Sequence, residues 1–195
     1  MIELTGRLTM TVEQIETFGR LTEAASRGDG DAACRLGDMH REGLGGLRYS
    51  PKLAFHWYAR SALAGDPNGQ NNLGACYEHG LGCEQSYARA VKWYRLAAGQ
   101  RLGTAAMNLG YCYLRGHGVA ADKGEALRFF RVAVEQGEPK AADELERLGE
   151  EVGDHVSVPD GRGERGRSGL RRGRYPRHVR PRSGSPLASE LRPGP

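Results

Sequence analysis

Residues 71–82 read NNLGACYEHGLG, and residues 107–118 read MNLGYCYLRGHG, so that Leu73 recurs as Leu109 after 36 residues. A fixed period of this length is typical of arrays of stacked helical hairpins, in which each hairpin buries its apolar face against its neighbours. Arrays of this kind usually bind other molecules along an extended surface. The repeat therefore predicts a helical array and favours binding over catalysis.

A further copy of the motif lies upstream, where residues 35–46 read RLGDMHREGLGG and Leu36 precedes Leu73 by 37 residues. The additional residue falls in the glycine-rich run 43–46. Loop closure depends weakly on loop length, whereas an insertion inside a helix would rotate its apolar face out of the core. The insertion therefore predicts a turn at this run.

The first segment of each repeat is predicted to be an amphipathic helix, here named helix A, because small or apolar residues recur at i, i+3, i+4 and i+7. A glycine follows the repeat leucine on the buried stripe of each copy. Because a glycine inside a helix costs about 0.5 to 1 kcal/mol relative to alanine, its recurrence predicts that a second helix approaches too closely for a Cβ. Left-handed cap glycines are expected to end helix A at Gly43, Gly80 and Gly116.

The second segment, helix B, is predicted to open at the N-caps Ser50, Ser86 and Asp122. Each helix B carries a pair of aromatic residues that we expect to pack against the small residues of helix A. These pairs are Trp57-Tyr58, Trp93-Tyr94 and Phe129-Phe130.

Flanking segments look like caps of the array. Residues 11–28 match a helix B opened by a capping box from Thr11 to Gln14. Residues 139–150 match the start of a helix A, but Glu146 replaces the close-packing glycine. A charge at that position predicts that no further repeat packs there.

The combined pattern, A-x-x-L-G-x-x-Y-x-x-G-x-G followed by K/R-A-x-x-W-Y-x-x-A-A-x-x-G, closely resembles the Sel-1-like repeat family, a subclass of the tetratricopeptide-like α/α solenoids. The resemblance implies an all-α fold, a right-handed α/α superhelix of three hairpins with capping helices. It places the repeats at about 31–66, 67–102 and 103–138. Three positions depart from the family pattern: His40 replaces a tyrosine, Gln70 an alanine and Arg101 the glycine after helix B.

Composition divides the chain into a flexible segment 1–10, a repeat domain 11–150 and a tail 151–195. The tail holds ten arginines, six of the nine prolines and eight glycines, with Tyr175 as its one aromatic residue. Such a segment buries too little apolar surface to offset the entropy lost on ordering, so we expect it to be disordered. The net charge of +4 belongs to this tail.

The chain has no apolar stretch of membrane-spanning length, and its N-terminus lacks the plan of a signal peptide. We therefore expect a cytoplasmic protein without a membrane partner. The resemblance includes a secreted, cysteine-rich branch in which a disulfide joins helix A to helix B. No cysteine occupies that helix B register here, which favours reduced thiols, and a redox role for Cys76 and Cys112 stays open.

No catalytic or cofactor motif is present in the sequence. Cys76, His79 and Cys83 have the residue types of metal ligands, but a structural zinc site normally needs four ligands in two knuckles. No serine lies in G-x-S-x-G and no histidine in H-E-x-x-H. We therefore predict no enzyme activity, no metal and no cofactor. A hydrolase, as claimed for secreted relatives, is a third and weaker hypothesis.

The face of helix A opposite its buried stripe is predicted to form a concave groove for a partner segment. Rotation by 100° per residue places on it the positions one before, two after and six after the repeat leucine. Stacked asparagine amides there are suited to an extended peptide backbone; the alternative is ordinary solvated polar side chains. The candidate residues are Arg35, Asp38, Glu42, Asn72, Ala75, His79, Asn108, Tyr111 and Arg115.

The leading hypothesis is a non-enzymatic adaptor or scaffold that binds a protein segment in this groove, and its oligomeric state stays open. The alternative is a polyanion-binding protein, which would bind RNA or DNA through phosphate contacts and guanidinium stacking of its tail. Two other interpretations of the tail stay open, namely docking on an acidic partner and a solvated segment without a function. The candidate tail residues are Arg165, Arg167, Arg171, Arg172, Arg174, Tyr175 and Arg177.

Overall fold

A computed structural model describes residues 11–149, and within them the chain forms α-helices and no β-strand. The predicted all-α solenoid is confirmed. A short 3-10 turn, Leu44–Gly46, follows the second helix. The helices are α1 (Val12–Ser26), α2 (Gly30–Glu42), α3 (Pro51–Leu63), α4 (Pro67–His79), α5 (Tyr87–Gly99), α6 (Gly103–Arg115), α7 (Lys123–Glu135) and α8 (Lys140–Arg147).

Each helix packs mainly against the helices next to it in sequence. Helices A are α2, α4 and α6, and each pairs with the helix B that follows it, α3, α5 or α7. Helix α1 covers α2 at one end and α8 covers α7 at the other. This neighbour-to-neighbour packing is what makes the array a solenoid.

The predicted helix ends are confirmed. The Thr11 side chain accepts from the backbone N–H of Gln14, whose own side chain accepts from Thr11 N–H, and α1 begins there. The side chains of Ser50, Ser86 and Asp122 each accept a backbone hydrogen bond at the start of a helix B. Each helix A ends at a glycine in the left-handed region, with φ of 67°, 67° and 72° at Gly43, Gly80 and Gly116.

The glycine after each repeat leucine lies under an aromatic ring of helix B, as predicted. A Cβ placed on Gly74 would stand 2.7 Å from the ring of Tyr94. The same construction at Gly110 gives 2.6 Å to the ring of Phe130. Since real Cβ atoms do not approach other atoms so closely, only glycine lets the ring lie on the backbone of helix A.

A second kind of glycine joins successive repeats. Gly82 and Gly118 follow the ends of α4 and α6, with φ of 76° and 72°. A Cβ on Gly82 would overlap the carbonyl of Pro51, at the start of the preceding helix B, and one on Gly118 would overlap the carbonyl of Tyr87. The second and third turns from helix A to helix B therefore lie directly on the first residue of the helix B before them.

Two departures from the repeat pattern are accommodated locally. Gln70 is buried, and its Oε1 accepts from Gln100 Nε2 at 2.9 Å. Arg101 takes φ of 69°, the left-handed conformation that Gly65 and Gly137 adopt in the other repeats. The chain thus keeps the same backbone path there, at a strain of roughly 1 kcal/mol for a residue with a Cβ.

The third departure, His40, is 7% exposed, and its Nδ1 has no hydrogen-bond partner. Its ring meets Phe18 of α1 edge-on, with centroids 6.2 Å apart. Tyr77 and Tyr113 occupy the same register in the later repeats. Burial lowers the pKa of His40 below its usual value of 6.5, because the charged imidazolium would lose its hydration.

His40 is therefore expected to make the fold less stable in mild acid. Below about pH 6.5 the unfolded chain takes up a proton that the folded chain resists, so the stability is complete above that pH and is lost as the pH falls towards the lowered pKa. One such group contributes at most about 1.4 kcal/mol per pH unit. Urea unfolding at about pH 7.5 and about pH 5.5 should show a smaller pH dependence for His40→Tyr than for the wild type. Equal pH dependence in both would contradict this account.

Candidate partner-binding face on helices A

The nine predicted groove residues lie on α2, α4 and α6, three on each helix, and none is buried. Arg35, Glu42, His79 and Arg115 are exposed, and the other five are half-buried. We call this surface the helix A face. Its residues lie at equivalent positions of successive helices, but the structure engages several of them in contacts within the array.

Hydrogen bonds between side chains join the helices of this face. Asn108 Nδ2 donates to Asn71 Oδ1 at 2.9 Å, which links α6 to α4. Asn72 Nδ2 lies 3.6 Å from Cys34 Sγ and links α4 to α2. The two asparagines predicted to contact a peptide therefore also hold successive helices A together. Each amide has two N–H groups and an accepting oxygen, and each of these contacts uses one N–H.

Glu144 of α8 continues the same row and is absent from the sequence-based set. It precedes Leu145, the repeat leucine register of the cap, as Asn108 precedes Leu109. Tyr111 of α6 hydrogen-bonds to it, so the third link of the row joins α6 to α8. The 36-residue period predicts this position, because Glu144 follows Asn108 by 36 residues.

The last repeat ends this face in a cluster of charged and aromatic groups. Arg147 Nη2 lies 2.6 Å from Glu144 Oε2, and the guanidinium of Arg115 lies over the ring of Tyr111 at 5.1 Å. Burial acts to raise the pKa of Glu144, but the hydrogen bonds from Arg147 and Tyr111 outweigh it and hold that pKa below its usual value. Burial, followed by the bond to Glu144, raises the pKa of Tyr111.

Asp38, in the first repeat, is part of a hydrogen-bond network inside its own hairpin. The buried Tyr58 hydroxyl donates to Asp38 Oδ1 at 2.7 Å and accepts from Arg41 Nε at 2.9 Å. In the second repeat Tyr94 donates its hydroxyl to Glu78 in the same way. A buried hydroxyl needs such a partner, so Asp38 is less free to bind a ligand than its exposure suggests.

The cysteines have the properties of packed thiols. The four cysteines are free, and burial raises the pKa of both Cys76 and Cys112 to about 12. A thiol with so high a pKa is almost wholly protonated at neutral pH and reacts slowly as a nucleophile. Among residues 11–149, no group of three or more His, Cys, Asp or Glu side chains is arranged to hold a metal ion.

The candidate tail residues, Arg165 to Arg177, lie outside the described residues, as do the predicted flexible segment 1–10 and the tail 151–195. Their roles stay predictions from the sequence. Across residues 11–149, the helices are too short or too polar to cross a lipid bilayer.

Comparison with known proteins places the repeats in a family. The family model described as "Sel1 repeat" matches residues 30–66, 67–101 and 103–138. These three matches cover more than half of the chain and coincide with the three hairpins of the structure.

Individual relatives share the repeats over part of their length. The chain is 40% identical over 79 residues to a chitin synthase regulator of Saccharomyces cerevisiae, a match that covers 40% of this chain and 11% of the regulator. A protective antigen of uropathogenic Escherichia coli with an SLR fold superposes with a TM-score of 0.63 at 34% identity, over 67% of this chain and 28% of the antigen. A Sel1 repeat protein from Oxalobacter formigenes superposes with a TM-score of 0.59 at 29% identity, over 71% of this chain and 60% of that protein. The chain spans about a tenth or less of the length of the curated relatives it matches.

Proposed function

The chain belongs to the Sel1 repeat family, and from that membership we propose that it is a non-enzymatic adaptor that binds a segment of a partner protein along its helix A face. Proteins of this family generally mediate protein–protein interaction. The match to a regulator protein supports a binding role over a catalytic one.

The observation that carries the proposal is the row of side-chain bonds across the helix A face. Because Asn72 and Asn108 are tied to neighbouring helices, their amides are held in place before a partner arrives. A surface ordered in advance loses less conformational entropy on binding. The same two amides keep hydrogen-bonding groups that match those of an extended backbone.

The dimensions and charges of the face suggest the kind of segment it takes. Three helices packed at roughly 9 to 10 Å span about 20 Å, the length of about six extended residues. Exposed Arg35 and Glu42 lie on α2 at one end, Arg115 lies with Asn108 on α6 at the other, and Asn72 lies on α4 between them. The proposed ligand is therefore a short extended segment, bound by its backbone in the middle and by charged side chains at its ends.

We propose that this binding takes place in the cytoplasm, because the four cysteines are free and buried or half-buried. Cytosolic conditions keep such thiols reduced.

Affinity capture with the full chain from its native cell extract, read by mass spectrometry, tests the adaptor role. The double variant Arg35→Glu, His79→Glu changes two exposed groups of the helix A face, and Lys140→Glu changes an exposed group of α8 as a matched control. We expect the double variant to retain about tenfold less of each specific partner and the control to retain it fully. Unchanged capture by the double variant would refute binding through this face.

The polyanion hypothesis rests on the composition of the tail, with ten arginines and five acidic residues in 151–195. Deletion of residues 155–195 separates the two functions. Loss of nucleic-acid retention at low salt, with protein capture intact, would assign polyanion binding to the tail. Unchanged retention would rule that hypothesis out.

A further inference from the structure

The exposed large hydrophobic residues of the described chain lie at one edge of the array, where helices B begin and helices A end. Two are in the first turn of α1, one is in the 3-10 turn, two flank the start of α3, and one follows the end of α4. None lies on the helix A face. They are Val12, Ile15, Leu44, Tyr49, Leu53 and Leu81, with exposures from 36% to 74%.

This edge is continuous because the turns from helix A to helix B lie on the starts of the preceding helices B. Gly82, beside Leu81, contacts the backbone of Pro51, which is two residues from both Tyr49 and Leu53. The first turn also contacts α1, but more loosely and through side chains: a Cβ on Gly45 would be 3.2 Å from Met39 Cε and 4.0 Å from Gln14 Cγ. We call this surface, formed by the starts of α1 and α3 and by the turns 43–50 and 80–86, the turn edge.

The repeats provide an internal comparison that separates function from folding. Tyr49 and Leu53 correspond to Gln85 and Arg89 one repeat later, and to Ala121 and Glu125 two repeats later. Polar or small residues therefore satisfy the fold at these registers. The exposed tyrosine and leucine are not needed for packing, and a cluster of such side chains marks an interaction site.

A cleft of about 620 Å³ opens on the turn edge between the first and second turns. Tyr49, Gly82 and Cys83 are among its lining residues, and Lys52 is the charged residue that lines it. Arg48 lies one residue before Tyr49, and the segment 43–54 contains no acidic residue. One repeat later, Arg48 and Lys52 are replaced by Glu84 and Ala88. The cleft thus combines an apolar surface with two cations of the first turn, against one exposed acidic residue, Glu84, which follows the lining residue Cys83.

We propose that the turn edge is a second docking surface, which takes a protein segment with an apolar side chain next to a carboxylate. The apolar side chain fills the cleft beside Tyr49 and Leu53, and the carboxylate pairs with Lys52 and Arg48. Charge complementarity selects this occupant, since an acidic group matches the two cations and an apolar group matches the exposed rim. The turn edge adjoins the helix A face at Glu42 and His79 but shares no residue with it, so variants confined to one surface let this proposal and the proposed function fail independently.

Selection of random dodecapeptides displayed on phage, with the immobilised full chain as bait, tests the proposal. The Tyr49→Gln, Leu53→Arg variant serves for counter-selection, because it carries the residues that the second repeat tolerates at those registers. We expect enriched peptides to pair an aliphatic or aromatic residue with Asp or Glu. Fluorescence anisotropy measures the affinity of these peptides, which should fall by about tenfold or more in the Tyr49→Gln, Leu53→Arg variant. The Arg48→Glu, Lys52→Ala variant should lose affinity several-fold, and this loss should be smaller at high salt. Arg35→Glu, on the helix A face and away from the turns, should bind them as the wild type does, and circular dichroism checks that all variants are folded.

Several results would overturn this assignment. These are a failure to enrich any peptide against the counter-selected bait, enriched peptides without carboxylates, or equal binding by the Tyr49→Gln, Leu53→Arg variant. A dimer in sedimentation that this variant abolishes would make a second copy the occupant. Binding to phosphatidylcholine–phosphatidylglycerol vesicles that depends on the same residues would make it a lipid surface. Unchanged capture of adaptor partners by Arg35→Glu, His79→Glu, together with peptide binding that depends on Tyr49 and Leu53, would refute the proposed function alone.

Discussion

Gly74→Ala is expected to lower the free energy of unfolding by about 2 to 3 kcal/mol, the cost of forcing an added methyl group into a packed core. The new Cβ would stand 2.7 Å from two atoms of the Tyr94 ring. That ring is fully buried, and its hydroxyl is held by Glu78 at 2.7 Å, so it has little room to withdraw. Helices α4 and α5 must then separate, and the hairpin loses its tightest contact.

Gly19→Ala is the matched control, because Gly19 also lies inside a helix and has no atom within 4 Å of the position of a Cβ. There the substitution should stabilise the fold by about 0.5 to 1 kcal/mol through the greater helix propensity of alanine. Urea unfolding of the full chain, followed by circular dichroism, measures both changes. In a Tyr94→Leu background the cost of Gly74→Ala should shrink, since the ring is gone. Equal effects of the two alanines in the wild-type background would show that close packing does not explain the glycine.

Gly82→Ala should cost about 2 to 4 kcal/mol, as the sum of a left-handed backbone on a residue with a Cβ and a clash in a packed interface. The clashing group is the backbone of Pro51 at the start of α3, and no rotamer change can move it. The second turn must therefore lift off the first repeat. Because solenoid stability depends on contacts between neighbouring repeats, we also expect a broader transition with a smaller m-value.

Gly80→Ala isolates the part of this effect that comes from the contact between repeats. Gly80 has a similar φ of 67°, but its nearest neighbour to a Cβ is Gln85 Cβ at an ordinary 3.5 Å. It should therefore lose only about 1 to 2 kcal/mol, from backbone strain, and keep a sharp transition. If Gly80→Ala and Gly82→Ala lose the same stability with the same m-value, the turns do not couple the repeats as described.

Much of the architecture could be read from the chain because it depends on local rules. Capping of α1 by Thr11, the left-handed ends of helices A and the glycine beneath each aromatic ring follow from short-range geometry and from one period applied three times. The sequence also showed that Arg101 replaces a glycine, but it did not show which backbone conformation the arginine adopts. Only the structure shows that the arginine adopts the glycine conformation, because the surrounding packing decides whether the backbone yields or the side chain does.

The candidate surfaces depended on three-dimensional contacts to a greater degree. Helical periodicity placed Asn72 and Asn108 on one face, but it could not show that their amides bond to Cys34 and Asn71, since a rotamer is chosen by neighbours about 36 residues away. The apolar turn edge was likewise hidden, because Val12, Leu44, Leu53 and Leu81 are far apart in the chain. Periodicity within one chain was enough to define the elements and their caps, since hydrogen bonding and steric fit there act between residues a few positions apart. Only the tertiary structure decided which polar groups stay free and which apolar groups lie near one another. The reason is that the turns pack onto the preceding helices, and this contact joins atoms that are distant in sequence.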